Sequence, residues 1–87
     1  MKKPINVSKG TDIRKFHRLL KRELNLDYYY DDIDTLCEAL TCFERTPLYL
    51  DIYGCNLLSD EMQDYISKFE ILFDELENYD VHATLIN

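Results

Sequence analysis

Short apolar stretches with the period of β-strands alternate along this sequence with longer stretches that have the period of α-helices. The strand-like and helical stretches follow one another in the order 4–7, 11–24, 31–43, 48–52, 59–78 and 81–86. Strands separated by helices are joined by crossover connections, which set the strands parallel. The sequence therefore predicts an α/β domain of two layers, with a three-stranded parallel sheet packed against three or four helices.

Length and composition indicate that residues 1–87 form a single domain. With 46% apolar residues and only two Gly and two Pro, the chain has enough hydrophobic side chains for one compact core. A chain of 87 residues leaves no room for a second core.

Each helical stretch begins at a residue suited to an N-cap and carries an apolar stripe. Thr11 or Asp12, Asp31 or Asp32, and Ser59 or Asp60 are the candidate caps. The stripes predicted to face the core are Ile13, Phe16, Leu19, Leu20 and Leu24; Ile33, Leu36, Leu40 and Phe43; and Met62, Ile66, Phe69, Leu72, Phe73 and Leu76. The last stretch is predicted as one helix or as two, with a break near Asp64–Tyr65.

Charge is distributed unevenly along the chain. The net charge is −7, yet residues 1–26 contain eight Lys/Arg and two Asp/Glu, whereas residues 27–87 contain two Lys/Arg and fifteen Asp/Glu. An acidic surface of this kind attracts basic proteins and repels nucleic acid.

The cysteines and the hydropathy favour a cytoplasmic protein. Cys37, Cys42 and Cys55 cannot all pair, and their spacing suits neither a disulfide framework nor a zinc site, so we expect free thiols in a reducing compartment. The N-terminus does not read as a signal peptide, and the sequence lacks an apolar run long enough to cross a membrane.

The segment 27–44 carries the candidate functional residues. It contains six acidic residues and no basic residue, and Asp34 and Glu38 are spaced to share one exposed helix face. Like charges at this spacing destabilise a helix slightly, so the pair indicates either a solvated acidic face or a use in binding. Tyr28, Tyr29 and Tyr30 precede the helix, and tyrosine is enriched in interfaces. We expect at least one of the three tyrosines to pack on the core.

Residues 17–50 resemble the barstar family of intracellular ribonuclease inhibitors, which bind barnase. The matching motifs are a Leu-Lys-Lys-Glu-Leu helix end, a Tyr-Tyr loop, a Leu-Asp-Ala-Leu helix start, a Leu-Thr and a Pro-Leu that opens a strand. Here they read Leu20-Lys21-Arg22-Glu23-Leu24, Tyr28-Tyr29, Ile33-Asp34-Thr35-Leu36, Leu40-Thr41 and Pro47-Leu48.

The resemblance implies inhibition by mimicry, in which a carboxylate on an acidic helix occupies the place of an RNA phosphate in the nuclease. Position by position, it assigns partner contacts to Tyr28, Tyr29, Asp34, Cys37, Glu38, Thr41, Phe43 and Glu75. Glu38 stands where the family has its central aspartate, Cys37 where it has a tryptophan, and Tyr30 where it has a glycine. The expected partner is a basic extracellular or toxin ribonuclease in a one-to-one complex, and no cofactor or metal is implied.

Other functions remain open at the level of sequence. Asp34 and Glu38 could form an acid/base pair or hold a metal with Asp31, but the known catalytic and phosphate-loop motifs are missing, so we expect no enzyme. The basic first helix could bind nucleic acid, which the acidic remainder disfavours. A barstar-like domain could also serve as an immunity protein for a different nuclease, or bind a non-nuclease protein. We expect His17 and His82 to be surface or satisfied core histidines.

Overall fold

A computed structural model describes residues 1–86 as an α/β domain. Three strands and three α-helices follow one another in the predicted order, and two short 3₁₀ helices that the sequence did not predict lie among them. Their bounds are β1 Lys2–Asn6, α1 Ile13–Leu24, α2 Ile33–Leu40, β2 Leu48–Tyr53, a first 3₁₀ helix Cys55–Leu57, α3 Asp60–Asp74, a second 3₁₀ helix Glu75–Tyr79, and β3 Val81–Ile86.

The sheet is fully parallel, and β2 is its central strand, flanked by β1 and β3. Leu50 on β2 is paired with Lys3 on β1 and with Ala83 on β3. Buried residues alternate with exposed ones along β2, so Leu48, Leu50 and Ile52 face the core. The three-stranded parallel sheet predicted from the sequence is confirmed.

The helices cover one face of the sheet, which gives the two layers. The core between the layers contains the buried faces of all three strands together with aromatic side chains from α1 and α3. Phe16 meets Phe69 edge to face with ring centroids 5.2 Å apart, and Phe69 packs on Phe73 at 4.3 Å. Tyr49 and Tyr53 lie on the opposite, exposed face of β2. None of the helices within residues 1–86 combines the length and the apolar content that crossing a bilayer requires.

Capping side chains set the start of each α-helix. The Asp12 carboxylate accepts a hydrogen bond from the backbone N–H of Lys15 at 2.8 Å, and the Ser59 hydroxyl accepts one from Met62 at 3.2 Å. Asp12 and Ser59 are thus the caps of α1 and α3. At its other end α1 stops at Asn25, whose left-handed backbone (φ 53°) turns the chain away.

The second helix is shorter than predicted. It ends at Leu40, because the N–H groups of Cys42 and Phe43 bond to carbonyls three residues earlier instead of four. The Glu38 carbonyl, near the helix end, accepts the Thr41 hydroxyl at 2.7 Å as well as the Thr41 N–H at 3.3 Å. The prediction that Phe43 continues the helical stripe is therefore wrong, although Phe43 still packs partly on the core.

Two further sequence predictions are corrected by the structure. The break in the last helical stretch lies at Asp74/Glu75, where α3 passes into the second 3₁₀ helix, and not near Asp64–Tyr65. Ile13, predicted in the buried stripe of α1, is 39% exposed, because it occupies the first turn, beyond the sheet-facing part of the helix.

Gly54 connects β2 to the first 3₁₀ helix in a backbone conformation that only glycine adopts freely. Its φ is +87°, and a Cβ placed there would lie 2.5 Å from the carbonyl oxygen of Val7. Gly10 has a similar φ of +92°, but a Cβ there would meet no atom within 4 Å. A side chain at position 10 would therefore introduce backbone strain alone, whereas a side chain at position 54 would introduce both backbone strain and a steric collision.

We expect Gly54→Ala to destabilise the fold more than Gly10→Ala. The alanine at position 10 should cost about 1–2 kcal/mol from the left-handed backbone alone. At position 54 displacement of the Val7 carbonyl should add roughly 1 kcal/mol or more. Urea unfolding of both variants measures the difference, and equal losses of stability would contradict the collision at Val7.

Candidate functional site

Three buried side chains fix the orientation of α2 about its own axis. Ile33, Leu36 and Leu40 face the core, which leaves Asp34 and Glu38 exposed to solvent. The helix starts where it does because the Asp32 carboxylate accepts hydrogen bonds from the Thr35 N–H at 2.7 Å and from the Thr35 hydroxyl at 3.0 Å. These bonds lower the pKa of Asp32, so this cap is ionised at neutral pH.

Six carboxylates of this segment make up what we call the acidic surface. All six are exposed, and they are Asp27, Asp31, Asp32, Asp34, Glu38 and Glu44. The ion pairs within residues 1–86 are Arg22 with Glu23 at 3.4 Å and His82 with Asp80 at 3.9 Å, and neither involves this surface. Its negative charge is therefore not neutralised by contact with the described cations of this protein.

Residues 25–32, here called the tyrosine loop, join α1 to α2 beside the acidic surface. Tyr28 is 70% exposed and Tyr29 is 40% exposed, whereas Tyr30 packs partly on the core. Tyr28 meets Tyr30 edge to face with ring centroids 6.4 Å apart. One tyrosine thus anchors the loop, as predicted, and two present their rings to solvent next to the carboxylates.

A partly buried polar pair lies beneath this loop. His17 on α1 is 2% exposed, and its Nε2 is 2.6 Å from the hydroxyl of Tyr65 on α3. Within the described residues its Nδ1 makes no hydrogen bond. The prediction of a satisfied core histidine is therefore correct for burial and for one ring nitrogen only.

Burial lowers the pKa of His17, because the charged imidazolium is poorly solvated there. The backbone of Tyr30 and the carboxylates of Asp32 and Asp31 oppose this shift without cancelling it. Burial also raises the pKa of Tyr65, and the same two carboxylates add to the rise. The neutral forms of both side chains are thus the ones that fit beneath the tyrosine loop.

A shallow groove at one end of the acidic surface contains a residue that sequence reasoning missed. Tyr28, Phe43 and Arg45 line it together with both flanks of the tyrosine loop and the end of α2. The Arg45 guanidinium lies 4.9 Å from the centre of the Phe43 ring, and it donates a hydrogen bond to the Leu24 carbonyl at the end of α1. Arg45 directly follows the acidic segment, and this place in the sequence was the one signal that could have indicated its position beside the acidic surface.

The remaining predicted contacts lie around α2 but differ in accessibility. Cys37 packs partly on the core, and burial, followed by the carboxylates of Asp34 and Glu75, raises its pKa to about 11. Cys37 is therefore a neutral thiol at physiological pH. Glu75, on the exposed side of the second 3₁₀ helix, is brought near α2, whereas the Thr41 hydroxyl is already used in the helix end.

The chemistry that this arrangement offers is negative charge and hydrogen-bond acceptors on a rigid helix, flanked by aromatic rings. Across residues 1–86 no three His, Cys, Asp or Glu side chains are grouped so as to hold a metal ion. The carboxylates of Asp34 and Glu38 point to solvent and are suited to cationic groups brought by another molecule.

Comparison with known proteins adds no assignment to this site. No protein-family model matches the sequence, and no curated protein is significantly similar to it.

We expect the stability of the protein to fall as the pH decreases below about 6.5, the ordinary pKa of histidine. The folded-state pKa of His17 is lowered, so the unfolded state binds the proton more readily. The stabilisation that comes from burying neutral His17 is complete above the pKa that this residue has in the unfolded state. It is lost as the pH falls from that value through the lower pKa of the folded state. This range lies above the titration of ordinary carboxyl groups.

Urea unfolding of the wild type and of His17→Gln between about pH 7.5 and 5.5 measures this dependence. The variant should show a smaller decrease of stability over that range. His82→Gln, which removes the half-exposed histidine of β3 and leaves His17 in place, is the comparison variant, and stability should still decrease in it over that range. An unchanged slope in His17→Gln would show that His17 does not cause it.

Proposed function

We propose that this protein is an intracellular, proteinaceous ribonuclease inhibitor of the barstar type. In this proposal α2 and the tyrosine loop block the active site of a basic extracellular or toxin ribonuclease in a one-to-one complex. Asp34 and Glu38 pair with Arg and Lys of the nuclease in place of RNA phosphate, and Tyr28 and Tyr29 pack on the partner. Phe43 and Glu75 lie towards the rim of the interface. The protein acts by occupying the cleft and performs no catalysis itself.

The observation that carries the proposal is the exposed, unpaired state of Asp34 and Glu38. A carboxylate pairing with a cation of its own chain, or turned towards the core, could not enter another protein's cleft. Both lie on the outer face of α2, outside the ion pairs found within residues 1–86. The resemblance of residues 17–50 to the barstar family supports the same face, since it places Asp34 at the first aspartate of the inhibitory helix and Glu38 at the central one.

The chemistry of a ribonuclease complements this surface. An enzyme that binds the RNA backbone presents Arg, Lys and His to phosphate, and the same groups bind carboxylates with short, charge-assisted hydrogen bonds. Opposite potentials also raise the association rate above the roughly 10⁵–10⁶ M⁻¹s⁻¹ of neutral protein pairs. Fast capture suits an inhibitor that must protect cellular RNA from an enzyme made in the same cell.

The tyrosines supply aromatic contact area, which the carboxylates alone cannot provide. Tyr28 and Tyr29 offer large aromatic surfaces with few rotatable bonds, so ordering them in a complex costs little conformational entropy. Tyr30 packs on the core and limits the freedom of the loop before any partner binds. Exposed rings on an anchored loop favour binding to a preformed cleft.

The proposal predicts that Asp34→Asn combined with Glu38→Gln abolishes inhibition while the fold remains intact. Losing both charges inside a desolvated interface should cost about 3 kcal/mol or more, which is over about 100-fold in Kd. The amides are nearly isosteric with the carboxylates, so the helix should keep its structure. Inhibition of a purified barnase-type ribonuclease, followed by cleavage of a fluorescent RNA substrate, measures the effect.

Glu70→Gln combined with Asp74→Asn is the matched control. These two carboxylates are also exposed and four residues apart on a helix, and their removal changes the net charge equally. The control variant should inhibit as well as the wild type. We call Asp34→Asn combined with Glu38→Gln the α2 variant. Equal inhibition by the wild type and by the α2 variant would contradict the proposed binding face. Equal weakening of inhibition in the α2 variant and in the control would show that the net charge alone causes the effect.

A pull-down from the native host distinguishes this function from that of a general binding module. The wild type and the α2 variant are immobilised, and the captured protein is tested for isoelectric point and ribonuclease activity. A basic ribonuclease captured by the wild type alone supports the proposal. A partner without nuclease activity would instead favour the barstar-like module that binds a different protein.

A further inference from the structure

A groove beside α1 brings together cationic side chains that the proposed function does not use. Lys15, Arg18 and Arg22 line it with polar residues of the segment that follows β1. The complete lining is Asn6, Ser8, Thr11, Lys15, Arg18, Leu19 and Arg22, and we call this the α1 groove.

The spacing of the three cations places them along one line. Offsets of three and four residues keep Lys15, Arg18 and Arg22 on the same side of a helix. With a rise of about 1.5 Å per residue, their positions span roughly 10 Å along the axis. All three are exposed, and the half-buried Leu19 lies among them in the groove. The groove therefore presents a short row of positive charges.

Few negative charges oppose this row. No carboxylate lines the α1 groove, and within residues 1–86 neither Lys15 nor Arg18 has an acidic group at ion-pair distance. Arg22 pairs with Glu23 at 3.4 Å in an exposed geometry, where such pairs contribute little. The nearby Asp12 carboxylate accepts the Lys15 backbone N–H as the helix cap, and the Thr11 hydroxyl accepts the N–H of Ser8.

We infer that the α1 groove binds a polyphosphate chain, either free or carried on a nucleotide. The forked guanidinium groups of two arginines match phosphate oxygens, and the lysine adds a third positive charge. The exposed hydroxyl of Ser8 and amide of Asn6 can donate further hydrogen bonds to phosphate.

The lining of the α1 groove also argues against single-stranded RNA as its ligand. Proteins that bind single-stranded RNA stack its bases on aromatic rings, and the α1 groove has no aromatic residue. Residues 27–87, with two Lys/Arg and fifteen Asp/Glu, repel a long phosphate backbone that would extend onto their surface. A compact polyphosphate satisfies the local row of cations without extending into that field.

This inference is independent of the proposed ribonuclease inhibition. The α1 groove carries positive charge, whereas the acidic surface on α2 and the tyrosine loop carries negative charge, and the two share no residue. At physiological salt, charges more than about 8 Å apart are largely screened, so the strength of binding at each surface is set by that surface's own groups, and the other surface acts only on the rate of approach.

The test is titration of the full chain with sodium tripolyphosphate, ATP without magnesium, adenosine and an oligouridine RNA, at low salt. Binding is followed by calorimetry and by backbone amide shifts in NMR spectra. We expect tripolyphosphate and ATP to bind with similar affinity and to shift amides of residues 6–22, and adenosine not to bind. The affinity for both phosphates should fall as salt is added.

Lys15→Gln combined with Arg18→Gln should weaken tripolyphosphate binding by about tenfold or more, since it removes two of the three charged hydrogen-bond donors of the groove. Arg14→Gln combined with Lys21→Gln is the matched control, because it removes two charges from the same helix outside the groove. The control should keep wild-type affinity, and Gln preserves helix propensity in both variants.

Three results would overturn the inference. They are no binding of tripolyphosphate to the wild type, equal weakening in both double variants, and binding of oligouridine more tightly than tripolyphosphate. Tighter binding of the RNA would assign the groove to a nucleic-acid backbone. None of these results would change the inhibition assay on the acidic surface, so the two proposals fail separately.

Discussion

The burial of Ile33, Leu36 and Leu40 is the interaction on which the functional interpretation of this molecule depends. α2 has only eight residues, and its contact with the core is made by these three buried side chains together with the half-buried Cys37. A rotation of α2 by one residue would turn Asp34 inwards and expose an apolar side chain. The hydrophobic stripe therefore fixes which carboxylates face solvent, and the Asp32 cap fixes where that stripe begins.

The acidic surface is maintained at some cost to the folded state. Asp34 and Glu38 stand four residues apart on a helix, where like charges are mildly destabilising, and no described cation of the chain relieves them. Arg45 comes nearest in the sequence, but it donates to the Leu24 carbonyl and packs on Phe43. The cation that directly follows the acidic segment in the sequence is thus turned to the end of α1.

The order and type of the elements were predictable from the sequence because their patterns are local. Apolar spacing indicated all three α-helices and all three strands, and the capping residues could be narrowed to adjacent pairs that include Asp12, Asp32 and Ser59. The end of α2 was not predictable, because Phe43 fits the apolar period and only the hydrogen bonds after Leu40 show that the helix has stopped.

The candidate site divides in the same way. The exposure of Asp34 and Glu38 follows from helical periodicity, so the sequence alone predicts it. The pairing of His17 with Tyr65 depends instead on how α1 packs on α3, and neither pattern nor propensity contains that distance.

The two oppositely charged surfaces also bear on how a partner would approach. A basic protein is attracted to α2 and the tyrosine loop and repelled by the cations of α1, so the field turns the molecule before contact. Such orientation reduces the fraction of encounters that meet the wrong face, which is the main restriction on protein association rates. Under the proposed function, the positive charge of residues 1–26 therefore assists inhibition without touching the nuclease. The separation of charge matters more for this than the net charge of −7.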